Sequence, residues 1–449
     1  MCAIVNELEM IVMMDNTKSY QLFQKAKEIM PGGITANIKN FSPYPIFMKS
    51  GKGAYLTDVD NNEYVDYLLS YSALMLGHGH PKVKDTIENH IQESGTWLYG
   101  TPSEIEIEFG EMIQHYYPSI ELLRYTNSGT EATLLAIRLA SAYTGKHKIA
   151  KFEGHYHGGH RQVLFSIAPP MSEAGDVTHP NTVPNSKELA SKDQEGTIIL
   201  PFNDLEHAEE ILKANQDQIA ALVMEPIQDG FLSVDQSFIN GIRQITQQLG
   251  IVLIFDEVKT GFRVSMGGAQ SLYDIEPDLT TLGKTIGGGF PIGVVGGKKD
   301  ILMQSAPANH QSDWKAMDTL FHSGTYNGHP LILAAGMTTV KIIDQEINDV
   351  FKRADILKKE LEKFFFEKGI AMQAMGIGSM FNIILTDQPL NNYRDFTLSD
   401  IELRKRIDLH LLDEGIYVKP GNRYSLSTMH GEQEVEKTLD AYKKVLSQI

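Results

Sequence analysis

The feature that most constrains this chain is a repeated alternation of short apolar runs with amphipathic stretches, beginning near residue 104. Ile219–Met224 and Ile251–Phe255 are continuous apolar runs of strand length, which suits strands buried on both faces of a parallel sheet. Residues 130–144 place Ala132, Leu135, Ala136, Leu139, Ala140 and Tyr143 on one helical face. Thr130 is positioned to cap that helix and Gly145 to end it. A helix is also expected around Phe238–Leu249. This alternation predicts an α/β layered domain with a mostly parallel central sheet. Before it, Ala54–Asp58 and Glu63–Tyr67 read as two antiparallel strands joined at Asp60-Asn61-Asn62. After residue 330 the pattern gives a long helix, strand-like runs near Met380–Leu385 and Ile416–Val418, and a last helix with Val435, Leu439, Tyr442 and Leu446 on one face. The expected division is 1–72 as an N-terminal segment of a small α/β domain, 73–330 as the large domain, and 331–449 as the remainder of the small one.

The 449 residues, 42% of them hydrophobic, are enough for such a core. A net charge of −17 opposes binding to nucleic acid or anionic membranes. Cys2 is the only cysteine. That excludes an internal disulfide and a multi-thiolate zinc site, and it suits a reducing compartment, the cytoplasm. No apolar run approaches the ~20 residues of a membrane span. The first 16 residues lack a basic n-region, so a signal peptide is not expected. Met13 or Met14 is an alternative start.

Five stretches carry chemistry. Tyr125 to Ala132 set Ser128, Gly129 and Thr130 at a helix N-terminus, where N–H groups and the helix dipole bind phosphate; an ordinary capping turn is the bland alternative. Asp256 ends the run Ile251–Phe255, at the strand end where open α/β sheets bind ligands. A carboxylate there can pair with a protonated ring nitrogen, as in a pyridoxal ring acting as electron sink, with Val258 against one ring face. Alternatively, Asp256 and Glu257 are exposed loop acids. Lys284 lies between Gly283 and Thr285, before Gly287-Gly288-Gly289. In a crowded, partly desolvated loop a lysine becomes nucleophilic toward an aldehyde. A P-loop would need glycine where Asp278 stands. His155, Tyr156, His157 and His160 follow the strand-like Lys148–Phe152. The histidines lack the carboxylate spacing of a metal motif, so no metal is expected, and Tyr156 can stack on a flat ring. Thr325, in His322–Gly328, is a further candidate phosphate donor.

In order and spacing, 127–145, 151–160, 223–230, 254–263, 277–293 and 321–330 together resemble the class III aminotransferases of the pyridoxal-phosphate type I fold. The resemblance runs from about residue 28 to the C-terminus. The nearest branches are glutamate-1-semialdehyde 2,1-aminomutase and the β-amino-acid transaminases. The resemblance implies pyridoxal 5′-phosphate as cofactor, with Lys284 bonding to it covalently and moving the substrate's proton. It implies Asp256 at the ring nitrogen, Tyr156 and Val258 on the two ring faces, and Ser128, Gly129 and Thr130 at the phosphate. Glu225 would support the site from its strand end. Thr325 would reach the phosphate of a neighbouring subunit, making the protein a homodimer with a shared active site.

Three departures bear on substrate. Gly230 stands where the aminomutase has asparagine. The stretch Gly32–Lys39 ends in lysine where the aminomutase has arginine, and lysine lacks the bidentate fork that suits a carboxylate. Residues 419–424 are shorter than the corresponding aminomutase segment and contain no acid. Residues 31–60 are more like the β-amino-acid branch. The expectation is therefore a transaminase moving an amino group between a β-amino acid, or a derivative such as a 3-amino acyl thioester, and a keto acid such as 2-oxoglutarate or pyruvate. Arg423 and Lys39 are the candidate substrate anchors. The aminomutase, an isomerase, is the alternative. A non-catalytic cofactor-binding regulator and a metal hydrolase using the 155–160 histidines are more remote readings.

Overall fold

The computed structural model describes residues 16–307 and 319–449. They form two compact units, one of residues 82–345 and 388–397, the other of residues up to 81, 346–387 and 398–449. The boundaries thus fall at 81/82 and 345/346 instead of the expected 72/73 and 330/331. The reason is the helix Pro330–Glu367, which continues unbroken across the expected second boundary. Residues 388–397 also count with the larger unit, which no compositional shift announces.

The larger unit holds a seven-stranded sheet. Its strands are β1 (Leu122–Thr126), β2 (Lys148–Phe152), β3 (Thr197–Leu200), β4 (Ile219–Met224), β5 (Val252–Asp256), β6 (Leu279–Gly283) and β7 (Gly293–Gly297). Their order is β1-β7-β6-β5-β4-β2-β3. Only β7 runs antiparallel to its neighbours; the other pairings are parallel. Every residue of β4, β5 and β6 is buried, as the unbroken apolar runs of β4 and of Val252–Phe255 in β5 require. Neighbouring residues feed cores on opposite faces: Val295 and Leu279 join Leu135, Leu139 and Val223, while Val294 and Leu282 join Phe109, Tyr117 and Phe262.

Helix α1 (Gly129–Thr144) packs its small and apolar face on this sheet, and Gly145 ends it in the left-handed conformation. Its cap is Ser128, whose Oγ accepts from Glu131 N at 3.1 Å, and not the expected Thr130. The helix starts one residue earlier than its apolar period suggests, which frees Thr130 for the first turn. Helix α2 (Gln236–Leu249) lies where expected.

In the smaller unit, Tyr55–Asp58 and Glu63–Asp66 form the expected antiparallel pair, extended on one side by Met48–Lys52 and on the other by the parallel Ile416–Tyr417. Gln373–Met375, Met380–Ile384 and Tyr424–Ser425 make a second small sheet. Arg404 and Asp408, both buried, tie this unit together. Arg404 Nε donates to Asp408 Oδ1 at 2.9 Å, and its other nitrogens reach Asn382 Oδ1 and the carbonyls of Ile383 and Asn422. Asp408 Oδ2 accepts from Gly421 N at 2.7 Å. Among the described residues no helix is long and apolar enough to cross a membrane.

Removing one partner from a buried, hydrogen-bonded ion pair leaves an uncompensated charge. Arg404→Met is therefore expected to destabilise the protein by about 3–5 kcal/mol in denaturant titration, and to loosen the loop before Tyr424 in hydrogen exchange.

Candidate active site

The carboxyl ends of β1, β2, β4, β5 and β6 each lead directly into a stretch singled out in the sequence. β1 leads to Ser128-Gly129-Thr130, β2 to residues 153–160, β4 to Glu225, β5 ends on Asp256, and β6 leads to Lys284. Strand register aligns them: Asp256 pairs with Thr281 on β6, and Gly293 of β7 pairs with both Thr126 and Gly283. The crevice beyond parallel strand ends is where such sheets bind ligands.

Three glycine contacts show how tightly these loops converge. A Cβ on Gly129 would lie 2.7 Å from Val258 Cγ1, and one on Gly283 would lie 3.4 Å from the same atom. A Cβ on Gly158 would lie 2.8 Å from Thr130 Oγ1. The α1 N-terminus, the turn after Asp256, the Lys284 turn and the 153–160 loop therefore meet around Val258. Lys284 itself is half-buried at φ +47°, a left-handed backbone that costs a side-chain-bearing residue roughly 1–2 kcal/mol. Such a conformation persists only where its surroundings impose it.

Asp256 and Glu257 are buried, 5% and 0% exposed, so neither is a loop acid. Glu257 is structural: it accepts from Thr260 Oγ1, from Ala269 N and Gln270 N, and from Gln270 Nε2. Asp256 has different partners. His157 Nδ1 lies 2.8 Å from its Oδ2, while Val258 N and Thr281 Oγ1 donate to Oδ1 at 3.1 and 3.2 Å. Burial pushes the Asp256 carboxyl up. The hydrogen bond and charge of His157, the Val258 N–H and the Lys259 ammonium outweigh it and hold the group below its ordinary value. The acid stays ionised although buried, as a partner for a protonated ring nitrogen must.

The other two histidines are driven neutral. Burial, then the charge of His157, lowers His155 well below its ordinary value and His160 to about 4. His155 Nδ1 accepts from Glu225 N at 3.0 Å. Among the described residues no group of three or more His, Cys, Asp or Glu is placed to hold a metal ion.

Glu225, 2% exposed, divides its two oxygens. Oε2 accepts from Tyr156 N at 3.1 Å, and Oε1 lies 2.6 Å from Lys259 Nζ. Tyr156 is 45% exposed. Thr325 is exposed, and its segment is tied to the phosphate-type turn of its own chain: Asn127 Nδ2 donates to Asn327 Oδ1 at 3.0 Å, and His322 Nε2 lies 3.2 Å from Tyr125 O. Lys39 and Arg423 belong to the smaller unit, Lys39 exposed and Arg423 buried. There the Ile38 carbonyl accepts from both Tyr71 Oη and Lys419 Nζ, and the Arg423 charge bears on Tyr71.

Sequence reading missed Lys151 and Lys259. Lys151, 0% exposed on β2, donates to Phe165 O at 2.7 Å. A lysine between the apolar Ala150 and Phe152 of a strand was the available signal. Burial lowers it to about 7 against the pull of Glu225 and Glu153.

A pyridoxal phosphate fits this donor set. The first-turn N–H groups of α1 suit the phosphate, the ionised Asp256 suits the ring nitrogen, Val258 and Tyr156 offer flat contacts, and Lys284 supplies an amine. This mostly parallel sheet, with one antiparallel strand and a lysine turn at its carboxyl edge, matches the fold of pyridoxal-phosphate-dependent aminotransferases. The comparisons agree. The family described as Aminotransferase class-III matches residues 37–434, and this chain belongs to that family, whose members are enzymes dependent on pyridoxal phosphate. It is 39% identical to glutamate-1-semialdehyde 2,1-aminomutase of Ignicoccus hospitalis (96% of this chain, 99% of that one). It is 40% identical to the enzyme of the same name from Methanocella arvoryzae (97% and 100%). Among solved structures, an omega-transaminase from Sphaerobacter thermophilus superposes with TM-score 0.89 at 33% identity (96% and 97% covered). A beta-phenylalanine aminotransferase from Variovorax paradoxus superposes with TM-score 0.82 at 30% identity (96% and 94% covered).

These relatives correct the expected β-amino-acid transaminase. Full-length relatives at 39% and 40% identity carry the aminomutase name, above the 30% and 33% of the transaminase structures. The departures at Gly230, Lys39 and residues 419–424 are two single positions and one six-residue segment, and they weigh less than identity along the whole chain.

Two outcomes follow. Gly129→Ala drives a methyl into Val258 and is expected to weaken pyridoxal phosphate binding about ten-fold or more, a loss of ~1.4 kcal/mol, in equilibrium dialysis. For Lys151, the folded value of about 7 lies below the ordinary 10.5. Across that window the unfolded chain holds a proton the folded chain has lost, so stability rises with pH, by at most about ten-fold in the unfolding constant per unit. Lys151→Met is expected to flatten that rise in denaturant titrations between about pH 7 and pH 10.

Proposed function

We propose that this protein is an isomerase acting on glutamate-1-semialdehyde (4-amino-5-oxopentanoate), moving the amino group from C2 to C1 and leaving the oxo group at C2. The product, 5-amino-4-oxopentanoate, has the same atoms, so the net reaction needs no external oxidant, reductant or keto acid. The observation that carries this reading is end-to-end identity of 39–40% to enzymes of that name, together with a site whose donors suit pyridoxal phosphate.

The cofactor supplies an electron sink that stabilises negative charge at the carbon losing a proton. The chain supplies the rest. Lys284 Nζ holds the cofactor and takes and returns the proton at the substrate carbon bearing nitrogen. Asp256, kept ionised by His157, holds the proton on the ring nitrogen. Ser128, Gly129 and Thr130 bind the phosphate. Val258 and Tyr156 fix the plane of the ring, and Glu225 fixes the Tyr156 backbone. The small substrate enters without nucleic acid or membrane partners.

We further assign a homodimer in which Thr325 serves the neighbouring subunit's phosphate, and a cytoplasmic location, which the single Cys2 supports. Lys39 and Arg423 remain the candidates for the substrate carboxylate, with Lys419 added because it shares the Ile38 carbonyl with Tyr71.

The test is conversion of 4-amino-5-oxopentanoate by the purified holoenzyme with no keto acid added. Formation of 5-amino-4-oxopentanoate is expected, falling by about three orders of magnitude or more in Lys284→Ala. A strict requirement for added keto acid would sink the isomerase reading.

A further inference from the structure

Lys259 lies between Val258 and Thr260 in the turn after β5, 8% exposed. Its Nζ is 2.6 Å from Glu225 Oε1 and 2.7 Å from Asp229 Oδ1. It also lies over the Tyr156 ring, 5.8 Å from the centroid. One ammonium, carried by the turn after β5, therefore touches two segments that leave two other strands: the loop after β2 carrying Tyr156, and residues 225–229 after β4.

The geometry is more than a surface ion pair. Glu225 is buried and offers its other oxygen to Tyr156 N, so Tyr156 is held at its backbone by Glu225 and across its ring by the cation bound to that same Glu225. A cation over an aromatic face is attracted by the ring's quadrupole, more strongly where the pair is desolvated. Asp229, on the far side of the ammonium, sits at φ +51°, a conformation unusual for a residue with a side chain and one that the Lys259 contact helps to hold. The Lys259 charge also reaches Asp256, where it helps to keep that carboxyl ionised.

We infer that Lys259 is a positioning residue for the cofactor: through Glu225 and the Tyr156 ring it sets the aromatic face against which the pyridoxal ring rests. This rests on the family's cofactor and on Tyr156 as its stacking face, not on the choice of substrate. It separates Lys259 from exposed ion pairs such as Lys84–Glu88, which join residues one helical turn apart and order nothing else.

A double-mutant cycle on the dissociation constant of pyridoxal phosphate tests this. Lys259→Met is expected to raise the constant about ten-fold in the wild-type background and less than about two-fold in Tyr156→Ala, because coupled residues are non-additive. Lys259→Arg, which keeps the charge over the ring and reaches both carboxylates, is expected to recover most of the affinity. The same fold-change in both backgrounds, or no change in either, overturns the proposal, since Lys259 then does not act through Tyr156. Should Lys259→Met not fold, Asp229→Asn carries the cycle: it releases one side of the ammonium at a half-exposed position. A smaller loss that vanishes in Tyr156→Ala supports the proposal, and an unchanged constant overturns it. A wild-type protein that takes up no pyridoxal phosphate removes the cofactor assignment itself, a result distinct from additivity.

Discussion

A carboxylate at the end of a fully buried strand has lost its water, and the surrounding chain must supply what the water gave. Asp256 is in that position, and much of the site can be derived from how its debt is met. Three donors come from three places: His157 from the loop after β2, Thr281 from the neighbouring strand, and Val258 N from its own turn. Each must be delivered to within about 3 Å, the hydrogen-bond range. The β5–β6 register and the path of the 153–160 loop are therefore tied to this one acid. A buried carboxylate with fewer donors would take up a proton and lose its value to a ring nitrogen.

The same turn imposes the second constraint. Once Asp256 is fixed, Val258 two residues on is thrown against the start of α1 and the approach to Lys284. Only the lack of a side chain at Gly129 lets the helix N-terminus come that close. The start of α1, Asp256 and the turn carrying Lys284 are thus held relative to one another by contacts among few residues. Rigidity of this kind lets a site act through orientation. Left-handed Lys284 is consistent with it, since a strained residue stays strained only in a frame that does not yield.

Much of this was legible in the sequence because it depends on local pattern. Unbroken apolar runs mark β4 and β5, since a strand covered on both faces has no polar side to show. Ser128, Gly129, Thr130, Asp256 and Lys284 stand at strand ends because open sheets bind ligands there. What was not legible depends on partners distant in sequence. Nothing local in Lys259 shows that it meets Glu225 and Asp229, about thirty residues earlier. The cap at Ser128 was missed because apolar periodicity locates the middle of a helix better than its first residue. The unit boundary was missed because one helix runs through it without a break. The substrate was misread because it was argued from Gly230, Lys39, residues 419–424 and the 31–60 stretch, and short local segments report their own neighbours more than the reaction.

The acidic character of the chain sharpens the reading of the site. With 57 acids against 40 Lys and Arg, the surface field repels anions, yet the phosphate of the cofactor must be bound. Backbone N–H groups at a helix start bind phosphate without adding net charge, and that choice leaves the basic side chains for other work. Lys259 is held by two carboxylates and a ring, and Lys151 by the Phe165 carbonyl beside the sheet. Neither lysine lies in the Ser128–Thr130 turn. An anion drawn against the general field must then be recognised at short range. Selectivity in such a protein comes from a few fixed donors in a dry crevice, where electrostatic interactions are strongest.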